Sequence, residues 1–253
     1  MTAHASSITQ SDAARLDAQD ALAHCRERFS LPPGVIYLDG NSLGAMPKAV
    51  LARMQQALEQ EWAVGLIRSW NQADWYRAPQ RVGARIAQLV GAQADEVICC
   101  DSTSINLFKA LVAALRLRPQ RRRILSELGN FPTDSYIASG VAELMKVELT
   151  LVPAEELMQR IDDSVAVVSL THVNYRSGRL HDMAAITRRA HEVGALVLWD
   201  LSHTAGHYQP ARRQSAIRAR AVSSTHQPQG TQRFSASKHS TPGSTCAEGS
   251  KHV

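Results

Sequence analysis

Val165-Ala-Val-Val-Ser-Leu170, then an amphipathic stretch over Asp182–Val193, then Ala195-Leu-Val-Leu-Trp199, reads as strand, helix, strand. Both apolar runs are nearly continuous, as expected for strands covered on two faces in a parallel sheet rather than alternating as on a half-exposed one. The pattern extends upstream. Strand Val147–Val152 precedes a helix after Pro153, strand Arg123–Ser126 precedes a helix after Pro132, and strand Val97–Cys100 precedes a helix through Leu107, Leu111 and Leu115. Repeated strand–helix alternation predicts an α/β fold with a largely parallel sheet.

The first hundred residues read as more helical. A helix from about Ser11 carries Leu22, Cys25 and Phe29 on one face, and a short strand, Val35–Leu38, runs into the turn Asp39–Gly44. Pro47 opens a helix with Leu51, Met54, Leu58 and Trp62 at helical spacing, and Pro79 opens another with Val82, Ile86 and Leu89 inward.

The composition is that of a globular chain, with 44% apolar and 20% charged residues among 253. No apolar run approaches the length of a membrane span, and Met1–Ser7 carries no secretory signal pattern. Four cysteines (Cys25, Cys99, Cys100, Cys246) form neither a CxxC pair nor a disulfide framework, so a cytoplasmic location is expected. The net charge of +5 resides in one place. Beyond Gly206 lie seven of the 28 Lys and Arg but only Glu248 of the 23 acids, which leaves 21 basic and 22 acidic residues before it. Residues 207–253 are rich in Ser, Gln, His, Arg and Pro and are expected to be disordered. Their two aromatics, Tyr208 and Phe234, are sparse for base stacking, so an RNA-binding arm is the weaker reading of that charge.

In parallel sheets ligands bind beyond the carboxyl ends of the strands. Asp101-Ser-Thr-Ser104 places hydroxyls at a helix N-terminus, which suits either plain capping or a phosphate. Gly129-Asn-Phe-Pro-Thr-Asp134 offers an aromatic held by a proline, equally able to stack on a planar ligand or to pack inward. Leu170-Thr-His-Val-Asn-Tyr-Arg-Ser-Gly178 ends a strand in a polar cluster that an ordinary loop also explains. Trp199-Asp-Leu-Ser-His203 sets a carboxylate where it can hold a proton on a pyridine nitrogen, although a capping Asp200 would look the same. His203 and His207 are four apart without a third ligand, so no metal site is expected. GxGxxG, GxxxxGK[ST] and G-x-S-x-G patterns are absent.

Taken together, Tyr37-Leu-Asp-Gly-Asn-Ser-Leu-Gly44, Asp101-Ser-Thr-Ser-Ile-Asn-Leu107, Asn130-Phe-Pro-Thr-Asp134, Leu170–Gly178 and Trp199-Asp-Leu-Ser-His-Thr-Ala-Gly206 resemble kynureninase, in that family's order and spacing. The resemblance covers roughly residues 10–206. It implies the large domain of a fold-type-I transferase, pyridoxal 5'-phosphate as cofactor, and hydrolysis of L-kynurenine to anthranilate and L-alanine in tryptophan catabolism leading to NAD biosynthesis. It also implies a homodimer. Residues 1–65 would be an N-terminal arm and small-domain segment, 66–206 part of the cofactor-binding domain, and 207–253 a separate tail.

By the same resemblance Thr103 and Ser104 would contact the cofactor phosphate, and Phe131 would stack on the ring with Pro132, Thr133 and Asp134 completing that wall. Thr171 would lie near the phenolic oxygen, Asp200 would pair with the pyridine nitrogen, and His203 would support it. Asn41, Ser42 and, more loosely, Trp70 would face the substrate. The family's Schiff-base lysine, expected roughly two dozen residues beyond the aspartate, has no counterpart here. His226 stands near that position, and the lysines after Asp200 are Lys238 and Lys251. The family's remaining large-domain strands and carboxyl-terminal domain are also without a match. The expectation is therefore a kynureninase by ancestry, truncated or frameshifted after Gly206 and inactive, in preference to a non-catalytic cofactor- or partner-binding protein.

Overall fold

The computed structural model describes residues 8–40 and 42–205. The elements are α1 (Gln10–Gln19), β1 (Phe29–Ser30), β2 (Met46–Pro47), α2 (Lys48–Gln56), α3 (Ser69–Gln72), α4 (Ala78–Val90), α5 (Thr103–Leu117), β3 (Arg123–Glu127), α6 (Pro132–Met145), β4 (Glu148–Val152), α7 (Leu157–Arg160), β5 (Val165–Thr171), α8 (Met183–Glu192) and β6 (Leu196–Asp200). Four strands form one all-parallel sheet in the order β4-β3-β5-β6. The α/β expectation from the strand–helix alternation is met.

Sheet residues alternate between two cores, as a period of two requires. Ile124 and Val167 face α5 and α6, packing with Leu111, Ala114, Ala138 and Val141. Leu125, Val168 and Leu170 face the other side, with Leu157 of α7 and Ile186 and Ala190 of α8. All seven residues of β5 are buried, which is why that stretch reads as continuously apolar. Helix boundaries follow local chemistry. Pro132 takes the first position of α6, the Asp182 carboxylate accepts from the Ala185 N–H at 2.9 Å to start α8, and a left-handed Gly91 (φ 72°) closes α4.

The amino-terminal expectations fare less well. The first helix stops at Gln19, and Leu22 and Cys25 fall in or beside a 3-10 segment, Ala23–Arg28, with Phe29 in β1. Val35–Leu38 is not a strand; Ile36 is 84% and Leu38 90% exposed. Val97–Cys100 is likewise outside any ladder. A β-rich composition cannot make a strand without a neighbour to bond with, and none among the described residues pairs with either run. The helix opened by Pro47 continues through a π-helical turn, Ala57–Trp62, but Leu51, Met54, Leu58 and Trp62 are exposed. In α4 the inward positions are Gly83 and Ala87, not Val82 and Leu89. A Cβ at Gly83 would lie 2.1 Å from the Val97 carbonyl oxygen, so backbone approach, not side-chain size, decides that face. The helix after Pro153 shrinks to the four residues of α7. The tail over 207–253 lies outside the described residues. No described helix is long and apolar enough to cross a membrane.

Candidate functional site

From β3 the chain moves outward to β4, then returns to place β5 on the opposite side of β3. The reversal opens a crevice at the carboxyl ends of β3 and β5, the place where parallel α/β sheets bind ligands. Asn130 and Phe131 follow β3, Asp134 lies in the first turn of α6, Thr171 ends β5 and Asp200 ends β6. Topology thus gathers residues separated by some seventy positions of sequence.

Polar groups here are mostly acceptors. Asp200 Oδ1 takes the Ser202 N–H at 2.7 Å and the Ser202 hydroxyl at 2.6 Å. Its Oδ2 lies 3.5 Å from the Thr171 hydroxyl oxygen, a long contact. Asp134 is 4% exposed. Burial first, and then the adjacent Asp200 carboxylate, push Asp134 up to about 6. Two carboxyl groups side by side, one poorly satisfied, call for a proton donor between or beside them.

The wall of the crevice is aromatic. Phe131 meets Tyr175 edge-on at 5.1 Å and His203 at 6.2 Å, and Tyr175 stacks with His203 at 6.4 Å. Pro132 and Thr133 are exposed beside Phe131. His203 makes its ring contacts with this pair and no hydrogen bond to Asp200. Thr103 and Ser104 occupy the first turn of α5, capped by Ser102, whose hydroxyl accepts from the Ile105 N–H at 3.4 Å. First-turn N–H groups have no intrahelical partner and face the positive end of the helix dipole.

The structure therefore brings together Phe131, Asp134, Thr171, Asp200 and His203. No hydrogen bond or ring contact among the described residues joins Ser42 or Trp70 to them. Ser42 is exposed in its turn, and Trp70, 50% exposed, sits edge-on to Trp75. Asn41 lies outside the described residues.

Sequence reasoning missed a buried layer beneath the site. Glu127, at the end of β3, and His181 are 3% and 7% exposed and lie 3.0 Å apart, with Glu127 Oε1 lacking a hydrogen-bond partner. His172 is edge-on to Trp199 at 5.9 Å, and His181 tilts against the same indole at 6.3 Å. Burial holds the His172 imidazole below the usual histidine range. Tyr175 joins the ring wall as well, and its place four residues after Thr171, the last residue of β5, is the signal the sequence carries for it.

The donor set fits pyridoxal 5'-phosphate. A protonated ring nitrogen supplies a close donor for Asp200 Oδ2, the flat ring suits the Phe131 wall, and the start of α5 suits a phosphate. No cluster of His, Cys, Asp or Glu suited to a metal occurs among the described residues.

Asp134 carries a pH signature. Its folded pKa is raised above the ordinary aspartate value of 3.8, so the native state holds the proton more tightly and stability falls as pH rises from about 4 through about 6. Two pKa units correspond to at most about 3 kcal/mol, and partial solvation at the crevice reduces this to about 2 kcal/mol. In urea denaturation, the stability of the wild-type chain relative to Asp134→Asn is expected to decline by that amount across this window. A flat difference would refute the raised carboxyl.

Residues 36–230 match the family described as aminotransferase class-V. Kynureninase of Pseudomonas fluorescens is 55% identical over 205 residues, covering 78% of this chain and 49% of that protein. Kynureninase of Burkholderia mallei (strain SAVP1) is 54% identical over 206 residues, with the same coverage of each. The chain thus spans about half the length of the curated relatives it matches. Among solved structures, C-DES with glycine covalently linked to its PLP cofactor superposes with a TM-score of 0.58 at 16% identity, over 72% of this chain and 50% of that one. The cysteine desulfurase CsdA of Escherichia coli gives 0.54 at 21%, over 71% and 48%. At such identities these likenesses speak to the fold alone.

Proposed function

The chain belongs to the aminotransferase class-V family, and on that premise we propose that it carries the cofactor-binding half of a kynureninase-type hydrolase. The reaction of that type converts L-kynurenine and water to anthranilate and L-alanine. The observation that carries this reading is the pairing of Asp200 Oδ2, almost unsatisfied, with the raised Asp134 carboxyl beside Phe131, on a chain 55% identical to a kynureninase.

When bound, pyridoxal 5'-phosphate supplies an electron sink for bond cleavage next to a substrate's amino-bearing carbon. Asp200 holds a proton at the ring nitrogen through Oδ2, while Ser202 fixes the carboxylate's other oxygen. The N–H groups and hydroxyls of Thr103 and Ser104 bind the phosphate. Phe131 covers one ring face, supported by Pro132, Thr133, Tyr175 and His203. Residues 66–206 form this cofactor-binding part, 1–65 an arm and small-domain segment. Asn41, Ser42 and Trp70 face the substrate in the assembled enzyme, a homodimer of the cytoplasm. In this chain binding is non-covalent, because the sequence offers only Lys238 and Lys251 after Asp200.

The test is a titration of the full chain with pyridoxal 5'-phosphate, read by quenching of tryptophan fluorescence. Wild type is expected to saturate, and Asp200→Asn to bind about 10- to 100-fold more weakly, the worth of a hydrogen bond to a charged group. Equal affinity for the two would overturn the reading.

A further inference from the structure

Asn130 is 7% exposed in the turn between β3 and α6, and its amide can point only one way. The Ser169 carbonyl is solely an acceptor, so the Ser126 hydroxyl donates to it, at 2.7 Å. Ser126 Oγ is left with lone pairs for Asn130, 3.1 Å away, and Nδ2 must face it. On the other side the Phe131 N–H, solely a donor, lies 2.9 Å from Asn130 Oδ1. A carbonyl at one end and an N–H at the other leave the amide no alternative orientation.

The consequence falls on Thr171. Its hydroxyl is 2.7 Å from Asn130 Oδ1 and 3.5 Å from Asp200 Oδ2, both acceptors, and the short contact to Asn130 takes its single proton. The relay runs from Thr171 through Asn130 and Ser126 to the Ser169 carbonyl, tying β5 to the turn after β3. We infer that Asn130 is a positioning residue: it pins the Phe131 backbone against β5 and holds the Thr171 proton away from Asp200. With that proton committed, Asp200 Oδ2, 3.5 Å from the Thr171 oxygen, is left to accept from a ligand. That arrangement selects a ligand whose ring carries an N–H, and this part of the inference rests on the proposed function above.

Asn130→Ala and Asn130→Asp in the full chain test it with two readouts. Hydrogen exchange at the Phe131 amide needs no ligand, and exchange at Ile124 and Leu125 reports whether the sheet persists. Pyridoxal 5'-phosphate affinity reports the crevice. Asn130→Ala is expected to speed Phe131 exchange about tenfold without changing Ile124 or Leu125, and to weaken the cofactor about tenfold. Asn130→Asp, measured where its carboxyl is protonated, keeps an accepting oxygen towards Phe131 and Thr171 and an O–H towards Ser126, and is expected to restore each value to within about threefold. Unchanged Phe131 exchange and affinity in Asn130→Ala would overturn the assignment. So would equal acceleration at Leu125 that Asn130→Asp fails to reverse, since that is general loss of packing. A wild-type chain that binds no pyridoxal 5'-phosphate would overturn the proposed function instead, and Phe131 exchange alone would then decide the role of Asn130.

Discussion

Incubated with L-kynurenine and saturating pyridoxal 5'-phosphate, the 253-residue chain is expected to release no anthranilate above a heat-denatured control. The expectation rests on residues in hand. A hydrolase of this type needs an amine that anchors the cofactor and moves protons during the reaction. Near the position where the family places it this chain has His226, and its lysines beyond Asp200 are Lys238 and Lys251. Positioning by Asp200, Phe131 and the start of α5 can bind the cofactor, but it does not replace that amine. Enzymes accelerate their reactions by about a millionfold or more, so even a thousandth of a family member's rate would be visible by anthranilate fluorescence. Heat-labile release proportional to protein would sink the expectation and point to Lys238 or Lys251 as the stand-in.

Leu125→Ala is expected to lower stability by about 3–5 kcal/mol, a large fraction of the roughly 5–15 kcal/mol typical of a folded domain. Leu125 is fully buried on β3, between β4 and β5, and packs against Val152, Leu157, Val168 and Leu170. Val152, Val168 and Leu170 belong to the strands that ladder with β3, so the cavity cannot close by a local shift. Equilibrium denaturation in urea, followed by far-ultraviolet circular dichroism, measures the loss. A change below about 1 kcal/mol would mean that this side of the sheet is not the close-packed core described here.

The carboxyl-terminal half of the described fold was legible because burial there leaves a mark on composition. Residues of β5 are covered on both faces, so Val165–Leu170 admits almost nothing but apolar side chains. Pro132 and Asp182 announce the starts of α6 and α8. The same signals misled earlier in the chain. Val35–Leu38 and Val97–Cys100 have strand-forming residues but no partner strand among those described, and the apolar stripe of α2 faces solvent. An apolar pattern records that a surface is to be covered, not what covers it.

At the site, motif order and residue type were enough to name Phe131, Asp134, Thr171 and Asp200, because the resemblance carries those positions in a line. What a line of sequence cannot hold is direction. The side of β3 to which β5 returns, the oxygen of Asp200 left unsatisfied and the raising of Asp134 all arise only once distant residues meet in a low-dielectric crevice. The same is true of Asn130 and of the Glu127–His181 pair, whose partners lie 41 and 54 positions away. Apolar periodicity and capping chemistry are local and can be read residue by residue. Hydrogen-bond polarity and charge coupling belong to neighbours in space, and only the folded sheet supplies them.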